Sequence, residues 1–146
     1  MLSIDPATTE DATAIWGFLQ RFATSYAPSR EAFGRNYPRL LEGEDSDILV
    51  ARRSGIAVGY LLAHRSLTLF AGGPILEIIE LYVDEAHRGE GIGRALVQAV
   101  LDRAWAAGCV EAVVPTRRAE EFYEALGFQP SATYLKLRLL GGGESD

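Results

Sequence analysis

One cysteine, one lysine, one asparagine and two histidines among 146 residues exclude several kinds of chemistry at once. Cys109 has no second thiol with which to close a disulfide or build a cysteine-rich metal site, and its apolar surroundings read as packed core. His64 and His87 are too few and too far apart for a metal centre, and no HExxH or Cys/His ligand spacing exists, so no metal is expected. No G-x-S-x-G elbow and no cysteine–histidine arrangement supports a covalent intermediate on the protein. A single lysine and a net charge of −6 argue against a nucleic-acid surface, which needs clustered basic residues. No apolar run reaches the roughly 18 residues of a membrane span. Met1-Leu2-Ser3 also lacks the basic start and apolar core of a secretory signal, so a soluble, cytoplasmic protein without a membrane partner is expected. The acidic balance would draw a cationic acceptor such as a free amine rather than a polyanion.

The 48% hydrophobic content is enough for one well-buried core, and no repeat or linker divides the chain. One domain over residues 1–140 with a flexible glycine-rich tail at 141–146 is expected. Residues 2–5 read as a strand. Thr8, Thr9, Glu10 and Asp11 then supply a cap and early acids for a helix to about Phe22. Residues 29–41 read as a weaker helix that Pro38 should kink or split. Strands at 48–53 and 56–65 flank Ser54-Gly55, the signature of a two-residue hairpin. A strand at 75–83, a helix from Gly91 to near Gly108 and a strand at 109–114 form a βαβ unit, whose strands should be parallel. A helix at 117–126 and a last strand at 133–139 complete an α/β chain of the α+β type.

Between the strand at 75–83 and its helix lies Arg88-Gly89-Glu90-Gly91-Ile92-Gly93-Arg94. Amides at a helix start have no intrahelical partners, and glycines let a pyrophosphate approach them without a Cβ in the way. Arg88 and Arg94 add positive charge. Neither glycine register closes a G-x-G-x-x-G dinucleotide fingerprint, and no Gly-Lys-Ser/Thr ending makes a P-loop.

The same residues match the R/Q-x-x-G-x-G/A signature of the GNAT superfamily of acyl-CoA-dependent N-acyltransferases. Leu81-Tyr82-Val83 stands where that family's pantetheine-binding strand ends, and Ala119, Phe122-Tyr123 and Leu126-Gly127-Phe128 resemble its A-x-x-F-Y-x-x-L-G-F signature. The resemblance covers nearly the whole chain. It implies a mixed, mostly antiparallel sheet with two central parallel strands that splay apart, flanked by helices, with acetyl-CoA entering the splay. Leu81, Tyr82 and Val83 would meet the pantetheine arm, and Arg88, Gly89, Glu90, Gly91, Ile92, Gly93 and Arg94 the diphosphate. Thr116 stands where relatives often carry a cofactor-contacting asparagine, so its hydroxyl would meet the cofactor while a side-chain amide contact is lost there.

Acetyl transfer to an amine needs a base, because an alkyl ammonium with a pKa of about 10.4 is protonated at neutral pH. Glu77 and Glu80 are the candidates. Regular alternation puts Glu77 on a face with Ile79 and Leu81 and Glu80 on the other with Ile78 and Tyr82, so only one could face a given cleft unless a bulge intervenes. The resemblance favours Glu77 as base and gives Glu80 the option of binding a cationic acceptor. It implies Tyr123 as the acid that protonates the leaving thiolate, the Leu81 amide as oxyanion donor, and direct transfer in a ternary complex. Trp16, Phe22, Tyr26, Phe33, Tyr37 and Phe70 come from regions where relatives build the acceptor pocket, with core packing the expected role of Trp16 and Phe22. An acyl-CoA sensor without turnover is the alternative function. Pairing of relatives through their C-terminal strands raises a homodimer as an option.

Overall fold

The computed structural model describes residues 1–23 and 26–140; the tail at 141–146 lies outside them. Five strands, β1 (Leu2–Pro6), β2 (Ser46–Arg53), β3 (Ile56–Leu67), β4 (Pro74–Val83) and β5 (Glu111–Val113), form one sheet in the order β1-β2-β3-β4-β5. The first four are antiparallel neighbours, and β5 joins β4 in parallel. Ser54 and Gly55 turn the β2–β3 hairpin with φ of 52° and 85°, the left-handed pair that matches strand twist across a two-residue loop.

Alternation along the strands creates two apolar faces. Leu49, Leu61, Leu76 and Ile78 point to α3 (Ile92–Ala106), which fills that side with Leu96, Val97 and Val100. Val50, Tyr60, Leu62 and Tyr82 point the other way, against Ile15 and Phe18 of α1 (Ala12–Phe22) and Tyr37 of α2 (Arg30–Glu42). The crossover β4–α3–β5 is the expected parallel unit. No helix among the described residues is long and apolar enough to cross a membrane.

Three elements depart from expectation. Pro38 does not split α2, which runs unbroken from Arg30 to Glu42 with the Ser29 hydroxyl accepting the Ala32 N–H at 3.1 Å. Proline removes the donor to the Gly34 carbonyl, but Gly34 and Pro38 are both exposed, so water can replace the lost partner. The helix expected at 117–126 shortens to α4 (Glu120–Ala125), and in the turn before it the Thr116 hydroxyl accepts the Ala119 N–H at 3.1 Å. The last strand expected at 133–139 does not pair. Leu135, Leu137 and Leu139 there are each more than four-fifths exposed, while Lys136 and Arg138 lie over the Tyr26 ring at 5.8 and 4.3 Å. With no strand beyond it among the described residues, β5 is an edge strand rather than a central one.

The start of the chain is held by Asp11, which is 5% exposed. Its carboxylate accepts both Arg52 guanidinium nitrogens at 2.8 and 2.9 Å and the Thr8 N–H at 2.9 Å. The hydrogen bond from Arg52, more than any other contact, holds its pKa below the usual carboxylate range. The stabilisation is therefore present above the unfolded-state pKa and lost as pH falls through the lower folded value. Asp11→Ala is expected to cost about 2 kcal/mol at pH 7, since it removes two charge-assisted hydrogen bonds from the half-buried Arg52, which keeps only Asp5 at 3.5 Å, and the acceptor of the Thr8 N–H. Urea denaturation checks this: the gap to wild type should narrow under acid, and a pH-independent gap would contradict the ion-pair account.

Candidate active site

β5 stays beside β4 only through Ile75, Leu76 and Glu77, so the outer edge of β4 from Ile78 onward has no strand neighbour among the described residues. Antiparallel pairs alternate between bonded and non-bonded, and the Asp84 N–H to Val58 carbonyl bond at 2.8 Å fixes the phase. Tyr60/Tyr82 and Leu62/Glu80 are then bonded pairs, while Leu81 and Val83 turn their amides and carbonyls away from β3 into the opening. Leu81 and Val83 thus present main-chain donors and acceptors to the opening, the kind of edge an extended amide chain can pair with. Tyr82 does not: its backbone faces β3 and its ring is buried against α1. The Val83 carbonyl accepts Arg88 Nε at 3.0 Å, and the Arg88 guanidinium lies 5.3 Å from the Tyr82 ring centre.

At the same end of β4 the glycine loop enters α3. Gly89 and Gly91 both have φ of 83°, a left-handed conformation that favours glycine, and a Cβ on either would point into open space. No side chain caps α3 at Gly91, and its first helical bond is Ala95 N–H to the Gly91 carbonyl at 3.1 Å. The amides of Ile92, Gly93 and Arg94 therefore have no acceptor within the helix. Glu90 does not oppose an anion at full strength, because Arg53 pairs with it at 2.9 Å. Gly93 also serves packing: a Cβ there would meet Phe122 of α4 at 3.3 Å, so the missing side chain lets α4 lie close against the start of α3.

The carboxylates of β4 lie otherwise than simple alternation predicts. The register runs from Leu62↔Glu80 to Ala63↔Ile78, leaving Ile79 as an extra residue. This bulge reverses the phase, so Leu76 and Ile78 before it and Leu81 and Val83 after it all pack on the α3 side. Glu77 and Glu80 consequently share the face toward α1 and α2, where strict alternation had them on opposite faces. Glu80 lies at a pocket of about 440 Å³ between α1, α2 and the sheet. Glu77 is not among the residues lining that pocket; it stands opposite His64 on β3.

Glu80 Oε1 accepts the Tyr60 hydroxyl at 2.8 Å. Burial raises the Glu80 pKa above the usual carboxylate range, opposed in part by the Tyr60 bond and the charge of nearby His64. Burial and the Glu80 charge also push the Tyr60 phenol far up, so it remains a donor. Phe22, Tyr26, Phe33 and Tyr37 line the pocket. Phe22, expected in the core, instead borders this cavity and is 37% exposed; Trp16 packs on Phe33 at 5.5 Å, and Phe70 is 79% exposed on the β3–β4 loop away from it. Tyr123 is buried between Phe122 and Phe128, with ring centres 4.9 and 5.5 Å away, and burial pushes its phenol up to about 12.

A model of the acetyltransferase (GNAT) family matches residues 12–128. The chain belongs to the GNAT family. It is 31% identical to a protein described as an uncharacterized N-acetyltransferase of Archaeoglobus fulgidus over 102 residues, 68% of this chain and 69% of that one. It is 32% identical to the rat (Rattus norvegicus) N-acetyltransferase family 8 member 2 over 99 residues, 63% of this chain but only 44% of the rat protein. The structure of AAC(6')-Iy in complex with a bisubstrate analogue, CoA-S-monomethyl-acetylneamine, superposes with a TM-score of 0.84 at 18% identity, covering 97% of this chain and 99% of that one.

Within this GNAT domain the feature that sequence reasoning missed is Tyr60. Its signal was indirect: Glu80 sits in the apolar run Ile78-Ile79-Glu80-Leu81-Tyr82-Val83, and a buried carboxylate requires a donor on an adjoining strand. Only the bulged register reveals that Tyr60, rather than a residue of β4 itself, supplies it.

Proposed function

We propose that this GNAT domain is an N-acetyltransferase that moves an acetyl group from acetyl-CoA to a primary amine by direct attack, with Glu80 as the base. The observation that carries the proposal is the position of Glu80, in the α1–α2 pocket and next to Leu81, whose amide points into the opening of the sheet. Amine acceptor and thioester would meet across that single residue step.

The free amides at Ile92, Gly93 and Arg94, with open space above Gly89 and Gly91, fit a diphosphate. Leu81 and Val83 fit the amides of a pantetheine arm, with Arg88 yielding the Val83 carbonyl. The Thr116 oxygen is engaged by Ala119, which leaves its hydroxyl hydrogen to donate. Acetyl-CoA supplies the activated acyl group. Glu80 takes a proton from the ammonium, and its raised pKa narrows the gap to the roughly 10.4 of the amine. As the N–C bond forms, the Leu81 N–H meets the charge on the carbonyl oxygen, an arrangement worth about 3 kcal/mol when preorganised. The C–S bond then breaks as the Tyr123 phenol gives its proton to sulfur; the second proton on nitrogen, made acidic by the new N–C bond, passes through water to the phenolate, and Glu80 releases the first to solvent.

Tyr123→Phe is expected to lower kcat about 100-fold with KM for acetyl-CoA little changed, measured by release of CoA thiol. Because the phenol is pushed up to about 12, the wild-type enzyme should show no alkaline loss from this group between pH 7 and 10. An unchanged kcat in the variant would remove Tyr123 from the mechanism.

A further inference from the structure

Within the proposed transfer reaction, the α1–α2 pocket would receive the amine, and its chemistry is uneven. Most of its wall is aliphatic or aromatic, from Leu19, Phe22, Phe33 and Leu62 among others. Glu80 is its one carboxylate among the described residues. Tyr60 donates to Glu80 at 2.8 Å, Tyr37 donates to the Thr8 carbonyl at 2.6 Å, and Ser29 accepts the Ala32 N–H at 3.1 Å; the Asn36 amide, the Tyr26 hydroxyl and the Ser29 hydroxyl hydrogen are the other polar groups on the described wall. A sugar-like acceptor would bring hydroxyls that find few partners here, and a polycation would bring more charges than one buried carboxylate can match.

We infer that the acceptor is a compact monoamine with an apolar body, an aryl or branched alkyl group seated between α1 and α2 while its nitrogen reaches Glu80. This rests on the acetyltransferase reading but is separable from it. The apolar body supplies binding through burial, and the single nitrogen meets the single carboxylate. The inference names the class of acceptor by shape and charge: one cationic centre at one end and a ring or branched chain at the other.

The test is a panel of 2-phenylethylamine, ethanolamine, spermidine and an aminoglycoside with acetyl-CoA, read as kcat/KM from thiol release, together with calorimetric binding of each amine in the presence of CoA. 2-Phenylethylamine should exceed ethanolamine by roughly 30- to 100-fold in kcat/KM, the value of burying a ring. Ala32→Phe, which fills the pocket from a half-buried position on α2, should cut the 2-phenylethylamine to ethanolamine ratio at least tenfold. Preference for spermidine or the aminoglycoside, or a ratio that Ala32→Phe leaves intact, overturns the inference while leaving acetyl transfer standing. Turnover of none of the amines would count against the transfer reaction alone. The calorimetry then decides the pocket: tighter binding of 2-phenylethylamine than of ethanolamine, weakened by Ala32→Phe, upholds it, and equal or absent binding overturns it.

Discussion

Glu80→Gln is expected to lower kcat by about 1,000-fold and at the same time raise the melting temperature at pH 8. The first effect follows from removing the group that takes the ammonium proton; the amide has no basic oxygen. The second follows from the sign of the pKa shift. Burial raises the folded-state pKa of Glu80 above its unfolded value, so the ionised carboxylate destabilises the fold. That penalty is absent below the unfolded pKa, grows as pH rises to the folded value and stays constant above it. Glutamine removes the charge and retains an oxygen that can accept the Tyr60 hydroxyl. The stability gain should therefore appear at neutral and alkaline pH and vanish under acid. Wild-type kcat/KM should fall with decreasing pH on a limb that Glu80→Gln abolishes. Glu77→Gln is the paired control, because Glu77 shares the face but not the pocket. A large loss in Glu77→Gln with full activity in Glu80→Gln would transfer the role to Glu77. Full activity in both would leave no carboxylate base on β4, and acyl-CoA binding without any turnover would favour the sensor.

The parts of this molecule that can be read from its sequence are those set within a few consecutive residues. The hairpin at Ser54-Gly55, the β4–α3–β5 crossover and the glycine loop are set by local rules, namely left-handed turn residues, apolar periodicity and glycines at a helix start. Each of these leaves a trace within a few consecutive residues. The faces of Glu77 and Glu80 do not, because they depend on the extra residue Ile79, and a bulge is decided by which register two strands adopt. The Tyr60–Glu80 bond shares that dependence. The segment around Leu135, Leu137 and Leu139 shows the converse: its alternation is strand-like, yet alternation only proposes a strand and a neighbour must complete it. The pocket lies further still from local rules, since residues from α1, α2, β2, β3 and β4 must converge before it exists. Phe22 illustrates the difference: helical spacing placed it on the apolar stripe, and only the position of α2 determines that this end of the stripe faces a cavity.

Gly91→Glu is expected to abolish measurable CoA binding, a rise in Kd of more than 100-fold by calorimetry, with the fold retained. Two causes act together. Gly91 has φ of 83°, where a Cβ costs about 1–2 kcal/mol. The new carboxylate would also lie beside the amides of Ile92 and Gly93, where it could accept their hydrogen bonds itself and would repel a diphosphate. Gly91→Ala separates the two, since alanine carries the backbone strain without the charge. It should weaken CoA by about tenfold, and the difference between the two variants then measures the electrostatic part. Because a Cβ at Gly91 meets nothing within 4 Å, neither variant should disturb the core, and melting temperatures should stay within a few degrees of each other. Arg53 already pairs with Glu90 one residue earlier, so that carboxylate opposes an anion less than one added at Gly91 would. Undiminished CoA binding in Gly91→Glu would mean that the diphosphate contacts other groups, and the positions of Leu81 and Glu80 relative to the thioester would have to be derived again from wherever it binds.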